Sequence, residues 1–394
     1  MSFFNKKDFF IEKLQDLSKK NLLRQIKDRE GIIKNSSKII LDGREYINFS
    51  SNDYLGLSNN QEIIDAAKEA LDKYGLGAVS SRLLSGGTIL HKELERLLSD
   101  FKKTESALIL NSGYIANSAI SVIAEEGDVI FSDELNHASL IDGCRLSKAK
   151  RVIYKHCDMD HLRSLLKKES GKKRIIVTDS VFSMDGDLAP LKDIYNICKE
   201  IDGELILYVD DAHGTGVLGS GKGALMHFNI DPEPWIIQMI TFSKALGSYG
   251  AAIVGNKDII DYLINSLRGF IFSTALPPCI IAATLKALEI IQKDENLIKK
   301  LWNNRNKVIK EIRSLGFETL KSETPIIPLI VGDINDTLRL SKYLFDNQIY
   351  APAIRPPTVK IPRIRIIVTA SHSEDDIDRL IELLRKFTKN ARMP

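Results

Sequence analysis

From about residue 61 to 275 the chain alternates short, continuously apolar runs with stretches whose apolar residues recur every three or four positions. Residues 107–110, 128–131, 151–154, 174–178 and 204–209 are runs of the first kind and read as parallel strands buried on both faces. The stretch 191–201, apolar at i, i+3, i+4 and i+7, belongs to the second kind and supplies a crossover helix. This alternation predicts an α/β fold with a mostly parallel central sheet, in which ligands gather at the carboxyl ends of the strands. Upstream, residues 6–28 read as a helix, and 38–41 and 45–49 flank an Asp42-Gly43 turn as a hairpin. Downstream, Pro277-Pro278 precedes a helical stretch over 279–315, apolar runs at 326–331 and 364–368, and a closing helix from Ser373 whose acidic start suits the helix dipole. The expected organisation is an N-terminal helix and hairpin segment (1–50), a large α/β domain (51–280) and a small C-terminal α+β domain (281–394).

Charge narrows the partners. The 394 residues hold 55 Lys+Arg and 52 Asp+Glu, a formal net charge of +3, which leaves no basic footprint for a phosphate backbone. Nucleic acid is excluded as the main partner. No apolar run approaches the ~18 residues of a spanning helix, and the start lacks the apolar core and small-residue cleavage site of a secretory signal. A cytoplasmic chain with no membrane partner is expected. Cys144, Cys157, Cys198 and Cys279 are far apart, form no Cys-x-x-Cys pair, and give no sign of a metal site.

The candidate chemistry follows the strands. After 204–209 comes Asp210-Asp211-Ala-His213-Gly214, two acids and a histidine at the mouth of the sheet; alone, it reads equally as a helix-capping Asp beside a surface His. After 235–242 comes Ser243-Lys244 among small residues. Most lysines are solvated, but one held away from water loses its proton readily and becomes an amine nucleophile suited to Schiff-base chemistry. Asn111-Ser112-Gly113-Tyr114 opens a helix after 107–110, where backbone N–H groups either receive a phosphate or are simply capped. His137 lies beyond the run at 128–131. A lysine, an acid with a histidine, an aromatic ring and a phosphate-ready helix start together match pyridoxal phosphate. Its aldehyde needs the amine, its ring nitrogen a carboxylate, its ring a stacking partner and its phosphate N–H donors.

Several ordered motifs carry a resemblance over nearly the whole length: Asn48-Phe-Ser-Ser-Asn-Asp-Tyr-Leu-Gly-Leu57, Ser81-Arg-Leu-Leu-Ser-Gly86, Asn136-His-Ala-Ser-Leu-Ile-Asp-Gly143, Val181-Phe-Ser-Met-Asp-Gly-Asp187, Val209-Asp-Asp-Ala-His-Gly214, Thr241-Phe-Ser-Lys244 and Ile354-Arg-Pro-Pro-Thr358. Through them the chain resembles the α-oxoamine synthases, pyridoxal-phosphate enzymes of fold type I. The resemblance implies that Lys244 forms the Schiff base and acts as general base, Asp210 pairs with the ring nitrogen, His213 and Ser183 bond the ring oxygen, and His137 stacks on the ring. Gly113, Tyr114 and Thr241 complete the cofactor cradle. A homodimer with shared active sites is implied, with Ser273 and Thr274 reaching the neighbour's phosphate.

Arg363 and Arg365, two apart on an expected strand, face one side. By resemblance Arg365 holds the amino-acid carboxylate, Arg355 lies nearby, and Arg24 and Thr358 contact the acyl substrate. The Asn-Asp-Tyr form, Phe-Ser-Met-Asp-Gly-Asp and Phe272-Ser-Thr-Ala-Leu-Pro-Pro278 favour the branch that condenses L-alanine with a pimeloyl thioester, on coenzyme A or acyl carrier protein, in biotin synthesis. A glycine-using synthase of the same family is the alternative. An aminotransferase or carbon–sulfur lyase on the same fold, or a non-catalytic relative with a dead site, stands further off. Two departures are visible: residues 359–362 form a shorter connection without glycine, and Cys157 stands where relatives often carry asparagine.

Overall fold

The computed structural model describes residues 8–24, 26–34 and 36–391. The first helix spans Asp8–Lys19, shorter than the expected 6–28, of which residues 6, 7 and 25 lie outside the described residues. Its end is chemical. Asn21 takes the left-handed conformation (φ 55°), Leu22 N–H donates to Leu17 O at 2.8 Å and Asn21 N–H to Ser18 O at 3.0 Å. That double closure uses the last carbonyls of the helix and stops it.

Next come β1 (Gly31–Ile32), β2 (Lys38–Leu41) and β3 (Arg44–Asn48), an antiparallel set with Asp42 and Gly43 both at positive φ in the expected turn. The central sheet holds β4 (Ser106–Leu110), β5 (Val129–Asp133), β6 (Lys150–Tyr154), β7 (Lys173–Asp179), β8 (Glu204–Asp210), β9 (Ile236–Thr241) and β10 (Ala251–Gly255). Their order is β4-β10-β9-β8-β7-β5-β6. Strand β10 runs against both its neighbours and the other six are parallel, so the sheet is mostly parallel. Strand period sorts its side chains. Ile109, Phe131, Ile176, Leu207 and Val209 enter one core, and Leu108, Leu110, Ile130, Ile175, Val177 and Tyr208 enter the other.

The expected 279–315 helix is two helices, Pro278–Lys293 and Glu295–Ser314. Asp294 separates them, its carboxylate accepting from Asn296 N–H at 2.9 Å as the cap of the second. The chain closes with β11 (Ile326–Leu329), β12 (Ile349–Tyr350), β13 (Ala353–Ile354), β14 (Arg363–Ile367) and a helix at Glu374–Ala391. Strands β11, β14 and β13 form an antiparallel sheet, whereas β12 pairs in parallel with β3. The N-terminal hairpin therefore shares a sheet with the C-terminal part, and Phe49 is buried among Val308, Ile312, Leu344 and Ile364.

A pin joins this C-terminal part to the central sheet. The Gly186 carbonyl accepts from Glu323 N–H (3.0 Å), Thr324 N–H (3.2 Å) and Thr324 Oγ1 (2.9 Å). Gly186 has φ +73°, and a methyl group there would lie 2.1 Å from Ile326 O. Gly186→Ala should destabilise the protein by roughly 2–3 kcal/mol, through backbone strain and forced separation. Chemical denaturation checks this; matching midpoints would contradict it.

Candidate active site

Asp210 and Asp211 are consecutive at the end of β8, and strand alternation sends them to opposite faces. Asp211 is bound into the scaffold: it pairs with Lys102 Nζ at 2.7 Å, both side chains 1% exposed, and also accepts from Ser180 Oγ (2.8 Å), Thr215 Oγ1 (2.8 Å) and Ala224 N–H (3.1 Å). Asp210 accepts from Asn117 Nδ2 at 2.7 Å and Ala212 N–H at 3.0 Å, leaving acceptor capacity on each oxygen. The parallel register of β7 and β8 sets Asp179 beside it. Burial raises the pKa of Asp210, opposed by the Lys244 amine and its hydrogen-bond donors. Burial, then the neighbouring Asp210 carboxylate, pushes Asp179 far above the usual range.

Lys244 follows β9, half-buried, and among the described residues no hydrogen bond or ion pair holds its amine. Burial lowers its pKa, and Asp210 and Asp179 resist the shift. His213 is buried, with Nδ1 2.6 Å from Tyr54 Oη. Burial and the nearby Lys244 and Arg365 charges hold its pKa well below the usual imidazole range, so the ring is neutral. Burial raises Tyr54 to about 12, and Arg365 beside the phenol oxygen can only donate to it. The phenol therefore donates its O–H in a hydrogen bond to Nδ1 and leaves Nε2 of His213 as the N–H donor.

Arg363 and Arg365 do share a face, both reaching the 181–187 segment, while Ile364 and Ile366 enter the C-terminal core. Arg363 is neutralised by Asp185. Arg365 donates to the Ser183 carbonyl and, through both terminal nitrogens, to Asn52 Oδ1 at 3.3 Å. Among the described residues no carboxylate pairs with Arg365. It is the guanidinium free to receive one.

His137 caps the helix Ala138–Leu146, its Nδ1 2.7 Å from Ser139 Oγ and its N–H donating to Asp179 Oδ2 at 2.7 Å. Asn117 Nδ2 bonds both Ser139 Oγ (2.8 Å) and Asp210 Oδ2, linking the His137 helix start to the end of β8. Ser112 caps the short helix Gly113–Asn117 through Ile115 N–H at 3.3 Å, and among the described residues no protein acceptor takes the N–H groups of Gly113 or Tyr114. The Tyr114 hydroxyl bonds Asp142 at the surface. Asn111 Nδ2 donates to Thr274 O at 2.9 Å, which brings Ser273 and Thr274 to that helix start within one protomer. Thr241 Oγ1 donates to Gly250 O at 3.0 Å, with Ser243 Oγ 2.9 Å away.

Arg24, Arg355 and Thr358 form a second group. Arg24 Nη2 donates to Thr358 Oγ1 at 2.9 Å, and Arg355 donates to the Asn21 and Leu23 carbonyls. The segment 21–24 thus lies against 355–358, and among the described residues no hydrogen bond or ion pair joins this group to Lys244.

Asn117, Asp179, Tyr54 and Asn52 are site-forming residues that sequence reasoning did not single out. Tyr54 and Asn52 lie within the quoted Asn48-to-Leu57 motif, and Asp179 ends a strand as Asp210 does. Asn117 sits inside a helix and leaves no pattern to follow.

A doubly wound sheet whose carboxyl edge holds a half-buried amine, paired acids and an open helix start defines a pyridoxal-phosphate-dependent enzyme of fold type I. The profile of the aminotransferase class I and II family matches residues 44–384. A putative 8-amino-7-oxononanoate synthase from Thermodesulfovibrio yellowstonii is 54% identical over 375 residues, 95% of this chain and 96% of that protein. An 8-amino-7-oxononanoate synthase from Thermoanaerobacter pseudethanolicus is 44% identical over the whole of both chains. Among solved structures, serine palmitoyltransferase from S. paucimobilis, with a bound PLP–myriocin adduct, superposes with a TM-score of 0.91 at 26% identity, covering 100% of each chain. The 8-amino-7-oxononanoate synthase of Francisella tularensis gives 0.77 at 30% identity, covering 88% of this chain and 99% of that one. The chain belongs to the aminotransferase class I and II family and, within it, to the 8-amino-7-oxononanoate synthases.

The lowered pKa of this amine carries a stability consequence. Because the folded-state pKa of Lys244 lies below its usual 10.5, the unfolded chain binds the proton more readily, and protonation penalises the fold at low pH. Without cofactor, Lys244→Met should be more stable than wild type, with the gap widest in acid and closing as pH rises toward 10.5. Urea titrations across pH measure this, and a pH-independent gap would count against it.

Proposed function

We propose that the protein condenses L-alanine with a pimeloyl thioester, releasing carbon dioxide and free thiol, to make 8-amino-7-oxononanoate for biotin synthesis. The observation that carries this reading is the pairing of two unspent cations in one site. Among the described residues the Lys244 amine has no ion-pair partner, and the buried Arg365 guanidinium has no carboxylate. An amino acid supplies what both lack, a proton to remove and a carboxylate to hold. That the relatives are named for 8-amino-7-oxononanoate supports this choice of product.

The residues present fit pyridoxal phosphate. Two adjacent buried carboxylates call for a cationic partner, the Gly113 and Tyr114 N–H groups are open to a phosphate, and the exposed His137 ring offers a face. Bound there, the cofactor supplies an aldehyde that condenses with amines and a ring that accepts the electron pair released at the substrate Cα. Asp210, held by Asn117, would keep the ring nitrogen protonated. His213 would donate its Nε2–H to the ring oxygen, joined by Ser183, and Thr241 with its neighbour Ser243 would offer hydroxyls to the phosphate. Lys244, which gives up its proton more readily than an ordinary lysine, would take the Cα proton and later return it. Arg365 fixes the carboxylate through its planar fork. Arg24, Thr358 and Arg355 receive the acyl chain where 21–24 meets 355–358. The working form is a homodimer.

Lys244→Ala should lower turnover by at least about 10⁴-fold, as expected for loss of both general base and amine nucleophile. Thiol release measured with L-alanine and pimeloyl-CoA or pimeloyl-acyl carrier protein checks the substrate assignment. Faster release with glycine or serine than with alanine would overturn it in favour of another α-oxoamine synthase, a reading the serine palmitoyltransferase likeness supports.

A further inference from the structure

Behind the 181–187 segment sits a histidine that the roles above do not use. His156 follows β6 and lies between two carboxylates: Nδ1 is 3.0 Å from Asp133 Oδ1, and Nε2 is 2.8 Å from Asp187 Oδ2. Asp133 ends β5, just before the turn that leads to His137. Asp187 closes the segment that carries Ser183 and Asp185, and its carbonyl accepts from Phe182 N–H at 3.0 Å. The Phe182 ring stands edge-on to the imidazole, with centroids 4.4 Å apart at 89°.

A neutral imidazole owns one N–H and can serve one of these carboxylates; serving both takes a proton on each nitrogen. Asp133 has other donors, since Oδ1 also accepts from Leu135 N–H at 2.9 Å and Oδ2 from Cys157 N–H at 2.9 Å. Asp187 has none: among the described residues His156 alone bonds its carboxylate, and its Oδ1 is buried without a partner. With Nε2 unprotonated, Asp187 would be a buried carboxylate with no donor, a costly state. Burial by itself would lower the His156 pKa, but the hydrogen bonds to Asp133 and Asp187 outweigh it and hold the pKa far above the ordinary imidazole range.

Cys157 Sγ lies 3.6 Å from Nε2, and the ligand atoms of Asp133, His156 and Cys157 are close enough to suggest a metal centre. The ring geometry opposes that. The carboxylates occupy opposite edges, so each nitrogen that could coordinate a metal already faces an oxygen.

We infer that His156 is a positioning residue, a doubly protonated imidazolium that clamps the end of β5 to the 181–187 segment and so fixes the spacing between His137 and Ser183. The clamp sits outside the reacting groups. Its effect on the cofactor rests on the proposed placement of the ring between His137 and Ser183, whereas its charge state does not. The charged and titratable groups facing it are Asp133, Asp187 and Cys157.

Two measurements separate these. Nitrogen-15 spectra of the histidine-labelled full chain at about pH 8.5, where an ordinary imidazole is neutral, should show one ring with both nitrogens protonated, absent from His156→Gln. A wild-type spectrum without such a ring overturns the inference whatever the enzyme's substrates prove to be. In His156→Gln, which keeps one donor, pyridoxal phosphate should bind about tenfold more weakly and with a shifted absorbance band, with KM for the amino acid little changed. Wild-type cofactor affinity and spectrum in a folded His156→Gln protein would equally overturn the clamp.

Discussion

Parallel pairing in register brings Asp179 and Asp210 together at the ends of β7 and β8, and much of the site answers to that crowding. Two carboxylates side by side in a dry place each resist ionisation, so the site needs positive charge nearby. Lys244 supplies some. It stays partly unpaired because the carboxylates are already engaged, Asp210 by Asn117 and Ala212, Asp179 by the His137 N–H. The same hydrogen bonds that spare Lys244 tie His137 and the helix from Gly113 to the sheet edge. One electrostatic tension thereby positions an amine, a ring and a helix start together.

Much of the fold was legible because a sheet covered on both faces writes itself as continuous apolar runs. The strands from β4 to β9 stood out for that reason. Strand β10 did not, since Ala251–Gly255 is a run of small residues whose place between β4 and β9 is set by pairing and not by its own pattern. The helix breaks were also hidden. Periodicity continues across Asp294, and only the capping bond shows that one helix ends and another begins.

The site divides in a similar way. Residues that follow strands could be named from position, and the family motifs added those in loops. Sequence could not separate Asp210 from Asp211 without the resemblance, because alternation says that the two diverge but not which face holds the chemistry. The structure separates them by saturation: Asp211 has a buried lysine and three further donors, and Asp210 keeps room for a ligand. Arg363 and Arg365 divide likewise, one matched with Asp185 and the other, among the described residues, without a carboxylate. Chemistry in this fold is found where a charged group has been left incomplete.

The pairing of β3 with β12 joins positions roughly 300 residues apart in the chain. A ribosome must therefore deliver the chain as far as residue 350 before the edge of β3 can be covered, and Arg24 waits equally long for Thr358. The central sheet, complete by residue 255, can assemble well before that. The order of synthesis thus puts the hydrophobic frame first and the rim near 21–24 last, so a truncated product would keep a sheet able to bind and aggregate but lack the rim that closes it.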